Sequence, residues 1–118
     1  MASSGNWFET RRKAHDLREK SITSAYTVRV GGASDDFIVD RVITIPSAAT
    51  AFTITLPDGK FRGQRFLAVV TKTTNLVATV TVSTVTNTYK LKYPRDFVSM
   101  EWIGSGDKGW TYLNKSAT

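Results

Sequence analysis

A two-residue period runs through the middle of this chain and restricts its fold more than any other feature. In "AFTITL", Phe52, Ile54 and Leu56 alternate with Thr53 and Thr55. Successive side chains of an extended chain point to opposite faces, so the apolar set falls on one side of a strand and the threonines on the other. "ATVTVS" repeats the device, with Val80 and Val82 inward. A helix would scatter the same residues around its axis and bury no continuous stripe.

From about residue 26 onward the same texture persists: short runs rich in Val, Ile, Thr and aromatics, broken by Gly, Pro, Asn and Asp. The pattern predicts eight strands, near 26–30, 37–45, 51–56, 64–71, 76–83, 88–92, 97–103 and 109–113. The breaks carry turn chemistry at Gly31-Gly32, Pro46-Ser47, Pro57-Asp58-Gly59, Asn75, Asn87 and Pro94. Short strands at this even spacing predict an all-β fold, a single β-sandwich or jelly-roll domain over residues 26–118.

One run departs from alternation. In "QRFLAVVT", Phe66, Ala68 and Val70 take one face while Leu67 and Val69 take the other, so both faces are apolar. A central strand in a two-layer core accounts for this, and so does a strand whose second face meets another subunit. Leu67 and Val69 are therefore the candidate subunit-interface residues.

Residues 1–25 read differently. "FETRRKAHDLREKS" is charged and helix-permissive, but beyond Phe8 its only apolar residues are Ala14 and Leu17, too narrow a stripe to dock a helix. The expectation is an extended or partly helical N-terminal arm. It is either a solvated terminus or an extension that orders on a neighbour with Trp7 and Phe8 as anchors.

Composition removes several chemistries. With 118 residues the chain has the size of one domain and a moderate core. It has no cysteine, hence no disulfide, thiolate site or thiol nucleophile, and a lone His15 has no second imidazole for a zinc site or relay. Asp35, Asp36 and Asp40 lack calcium-loop spacing and read as solvated loop acids. Asp96 and Glu101 stand five positions apart, an odd spacing that places them on opposite faces of a strand. No catalytic residue, cofactor or metal is expected, and the chain is read as a non-enzyme.

The loop "GSGDKGWTYLN" spaces Gly104, Gly106 and Gly109 as in a dinucleotide-binding fingerprint. That fingerprint needs a helix leaving the loop to receive the pyrophosphate, and the β texture offers none. The alternative is a hairpin that sets Trp102 and Trp110 side by side across the ladder, with the glycines free to take positive φ and Trp110 buried.

No apolar run reaches the length of about 18 residues that a membrane span needs, and the polar start lacks a signal-like stretch, so a soluble protein with no membrane partner is expected. The net charge of +6 is uneven: residues 59–95 carry +7 with no acid, whereas 34–58 carry −3. Bases interleave with rings in "KFRGQRF" and "YKLKYPR", as in single-strand binders. The rings alternate as core residues do, however, and no RNA-binding motif is present, which leaves nucleic acid an unfavoured partner beside an acidic protein surface.

The order "ITIP…FTITLP…GQRFLAVVTKTTNLVATVTVS…YKLKYPRDFVSMEWIGSGDKGWTYLN" resembles small β domains of tailed-phage virions, namely capsid decoration (cement) proteins and tail or head fibre modules. Those domains follow a T-x-x-L-P strand with a glycine turn, an apolar strand, an Asn-led V-T-V hairpin and a final V-x-x-x-x-x-G-x-G-W. Here Thr53 to Pro57, Gly63, Phe66 to Val70, Asn75 to Val82, and Val98 through Trp110 fill those places. The resemblance covers roughly residues 42–113.

What the resemblance implies is a virion protein that forms a homotrimer and sits on the outer surface of the capsid. In the reading built on it the partner is the major capsid protein; the arm lies outside the matched pattern, and Trp7, Phe8, Arg11, Arg12 and Lys13 are taken as its contacts, with Leu67 and Val69 between subunits. No collagen-like repeat or heptad array is present, which sets it apart from freestanding fibres. The alternatives are a tail or fibre module binding a host glycan and a nucleic-acid-binding β-barrel.

Overall fold

A computed structural model describes residues 19–31, 40–104 and 109–116. Among them the chain is all-β. Nine strands are present: β1 Glu19–Ser21, β2 Tyr26–Thr27, β3 Val42–Ile45, β4 Phe52–Thr55, β5 Arg65–Val70, β6 Val80–Ser83, β7 Thr88–Leu91, β8 Phe97–Trp102 and β9 Trp110–Lys115. They form a five-stranded sheet in the order β1-β3-β5-β8-β9 and a four-stranded sheet in the order β2-β4-β6-β7.

The path through the sheets is coil-like for its first two-thirds. Strands β1 to β6 alternate between the sheets, and each of β1 to β4 pairs in parallel with the strand two places on: β1 with β3 and β3 with β5 in the larger sheet, β2 with β4 and β4 with β6 in the smaller. Parallel neighbours need a crossover that returns the chain to its starting end, usually a helix. Here a strand of the opposite sheet does that work. The chain then reverses: β7 pairs antiparallel with β6, β8 with β5, and β9 folds back on β8. A bulge between Ser99 and Met100 shifts the last register, so that Asn114 faces Ser99 and Tyr112 faces Met100.

Both sheets contribute to one hydrophobic core. The larger sheet supplies Ile43, Ile45, Phe66, Ala68, Val70, Val98, Met100, Trp102 and Trp110, and the smaller supplies Phe52, Ile54, Val80, Val82 and Leu91. The threonine alternation explains the split, since β4 buries Phe52 and Ile54 while Thr53 and Thr55 face out. On β5, Phe66, Ala68 and Val70 are buried while Leu67 and Val69 are half-buried.

Seven of the eight spans predicted from sequence contain a strand within their bounds, and the eighth, 109–113, is overrun by β9, which continues to Lys115. The span 76–83 forms a strand only from Val80, because Leu76 N donates to Lys92 O and Ala78 N to Ala48 O, two acceptors on different segments. Positions 37–39 lie outside the described residues, as do residues 1–18 with Trp7, Phe8, Arg11, Arg12 and Lys13. Within the span read as an arm, Glu19–Ser21 forms β1 and extends the larger sheet, followed by Ile22, whose N–H donates to Thr44 O. The three residues of β1 are exposed, so the backbone ladder, without an apolar pattern, makes this strand.

Candidate functional site

The larger sheet turns one face to the core and the other outward, and the outward face carries the residues singled out from sequence. The register sets Val42, Leu67 and Ser99 in one row across β3, β5 and β8, and Thr44, Val69 and Phe97 in the next. Val42, Leu67, Val69 and Phe97 are all half-buried. Leu67 and Val69 thus lie on one strand and one face, in adjacent rows.

A hollow of about 320 Å³ opens beside Leu67 on this face, with Val42 and Ser99 also in its lining and the charged Glu19, Arg41 and Arg65 around them. Arg65 Nε lies 3.2 Å from Glu101 Oε1 in the cross-strand pair Arg65–Glu101. Both partners keep contact with solvent, so the pair contributes at most about 1 kcal/mol. Its larger effect is to fix the charged border of an apolar strip. The surface has the anatomy of a contact site, with apolar side chains in rows and charges at the rim.

Of the acids weighed from sequence, Asp35 and Asp36 lie outside the described residues, and the others take separate structural roles. Asp40, expected to be a solvated loop acid, is instead 1 % exposed. Its carboxylate accepts from the Tyr26 phenol, from Arg29 N at 3.0 Å, and from Arg29 Nε at 3.2 Å and Nη2 at 2.9 Å. Burial alone would raise this carboxyl, but the hydrogen bonds from Arg29 and Tyr26 outweigh it and hold it below the usual carboxylate value. The same contact, after burial itself, pushes the Tyr26 phenol up. Sequence reasoning missed this cluster, because nothing in the spacing of Tyr26, Arg29 and Asp40 marks them as neighbours.

Asp96 and Glu101 do not act together: Asp96 is buried and accepts from Lys92 N at 2.9 Å and Tyr93 N at 2.8 Å, while Glu101 faces Arg65. Among the described residues no group of three or more His, Cys, Asp or Glu is placed to hold a metal ion. No described helix is long and apolar enough to cross a membrane.

The glycine-rich loop behaves as a hairpin at its described ends. Trp102 pairs with Trp110 across β8 and β9, their ring centroids are 5.6 Å apart, and Gly104 and Gly109 take φ of 122° and 59°. Trp110 is 3 % exposed, and its indole N–H donates to Pro57 O at 2.8 Å. With its face packed and its donor used, Trp110 offers no platform for a sugar ring. Across from it, a Cβ on Gly59 would stand 2.4 Å from Trp102 Cγ, so only glycine lets the 56–64 connection cross that ring.

Comparison with protein-family models finds no match, and no curated protein matches the chain significantly in sequence.

Proposed function

We propose that this chain is a non-enzymatic structural protein whose work is done by the outer face of its larger sheet: a capsid decoration protein that forms a homotrimer and binds the outside of an assembled phage head. The observation that carries the assembly part is the pair of rows Val42–Leu67 and Val69–Phe97, apolar side chains half-exposed on the outside of a folded sheet. The virion setting rests on the sequence resemblance over residues 42–113. We read the two sheets as layers of a sandwich, because both feed one core. The parallel pairs of β1 to β6 disfavour a jelly roll, which is antiparallel throughout.

The mechanism is linkage. A protein that binds the assembled shell and not its separated subunits stabilises the shell by mass action. A trimer engages neighbouring coat subunits at high effective concentration once the first contact is made. Residues 1–18, with Trp7, Phe8, Arg11, Arg12 and Lys13, supply the capsid contact in this reading.

Sedimentation of the purified chain tests the assembly part. The expected species is three times 13.1 kDa, and Leu67→Lys with Val69→Lys gives a folded monomer. A wild-type monomer at micromolar concentration overturns it. Co-sedimentation with empty heads tests the setting: removal of residues 1–18 weakens attachment, and unchanged attachment removes the arm from the site.

A further inference from the structure

The two ends of the molecule differ in how many exposed acids stand beside their bases. At one end the connection after β3, the connection after β5 and the turn before β8 are tied by backbone bonds: Thr71 N donates to Ile45 O at 3.0 Å, Leu76 N to Lys92 O at 2.8 Å, and Arg95 N to Val70 O at 3.1 Å. This brings Lys72, Lys92 and Arg95 together. The one described acid there, Asp96, is 5 % exposed, and its Oδ2 is engaged by the Lys92 and Tyr93 N–H groups. Glu19, Asp40, Asp58 and Glu101 belong to the other end, where β3 and β5 begin and β8 finishes. Neither described ion pair involves Lys72, Lys92 or Arg95.

Arg95 holds its place against the backbone. Asp96 N donates to Tyr93 O at 3.0 Å, closing a turn with Pro94 and Arg95 at its centre. Arg95 takes φ of 64° at the second central position, the place where this turn favours glycine or asparagine. It is the one non-glycine residue with positive φ among those described. A strained arginine with no acid partner among the described residues marks a site where the cation itself is useful.

We infer that this end docks an acidic protein surface, with Lys72, Lys92 and Arg95 making the charged contacts around exposed Val77 and Tyr93. Val77 is 71 % exposed and Tyr93 48 %, so this end offers exposed apolar side chains as well as bases, the two ingredients of a protein interface. A single-strand binder stacks successive bases on several rings, whereas Tyr93 is the one exposed ring at this end among the described residues. The patch is separate from the outer sheet face and does not depend on the virion reading.

The test is an amide NMR titration of the full chain with oligoglutamate, run beside oligothymidylate at matched salt. Oligoglutamate is expected to shift resonances of 71–77 and 92–95. Lys72→Gln with Lys92→Gln and Arg95→Gly weakens binding by about tenfold, while Lys60→Gln with Arg62→Gln changes it less than about twofold. The thermal midpoint of each variant verifies folding, and Arg95→Gly relieves strain there. Shifts confined to other residues, or affinity unchanged in the triple variant, overturn the inference. Tighter binding of oligothymidylate at this end overturns it in favour of nucleic acid. Oligoglutamate binding here without attachment to heads leaves the inference standing and removes the decoration reading.

Discussion

The phenol of Tyr26 donates to the carboxylate of Asp40, tying the smaller sheet's first strand to the entry of β3 in the larger. Arg29 holds the same carboxylate through one backbone and two side-chain donors. Removing the phenol leaves a buried acceptor one donor short, whereas removing the carboxylate strands Tyr26 and the Arg29 N–H together. Tyr26→Phe is therefore expected to cost about 1 kcal/mol and Asp40→Ala about 3 kcal/mol in urea unfolding. Equal costs would mean that the Tyr26 phenol alone carries the junction and the Arg29 donors add nothing.

The same carboxylate sets an acid limit on stability. Its value in the folded chain lies below the ordinary one, so the unfolded chain takes up the proton first as pH falls. The stabilisation is complete above the unfolded carboxylate value of about 4 and is lost as pH drops through the lower, folded value. Thermal midpoints measured from pH 6 down to pH 2 should decline below about pH 4, and the decline should be shallower in Asp40→Asn.

How much of this was legible in the sequence differs by residue. "AFTITL" declared its buried face because alternation is local, and β4 buries Phe52 and Ile54 as the period requires. The pairing of Trp102 with Trp110 was legible because a hairpin joins chain neighbours. The parallel partners of β1 to β6 were not, since alternation says which way side chains point and nothing about which strand lies alongside. Asp40 misled for the same reason: its partners Tyr26 and Arg29 stand on a different strand run, and a buried carboxylate has no sequence signature without them. Leu67 and Val69 were read as facing away from Phe66, and they do; the half-buried rows they join needed the register of β3 and β8.

Gly59 is a point of close approach. Its missing side chain admits Trp102, with Cγ, Cδ2 and Cβ all within 2.8 Å of where a Cβ would stand. Gly59→Ala must move the connection or the ring, and overpacking of this kind costs about 1–3 kcal/mol. Loss of near-ultraviolet circular dichroism from the Trp102–Trp110 pair is expected alongside a lower unfolding midpoint. An alanine variant with unchanged spectrum and midpoint would show that the connection yields freely.

Two consecutive residues of the turn before β8 pull stability in opposite directions. Arg95 sits at positive φ with a full side chain, and Arg95→Gly removes the steric cost while loosening the unfolded chain, for a net gain of up to about 1 kcal/mol. Asp96 accepts the N–H groups of Lys92 and Tyr93, and Asp96→Ala leaves both without their acceptor at a cost of about 2–3 kcal/mol. At roughly 4 °C per kcal/mol for a domain of this size, a melting series separates the two effects. If Arg95→Gly lowers the midpoint as Asp96→Ala does, the arginine supports the turn, and its retention at a strained position no longer points to a partner.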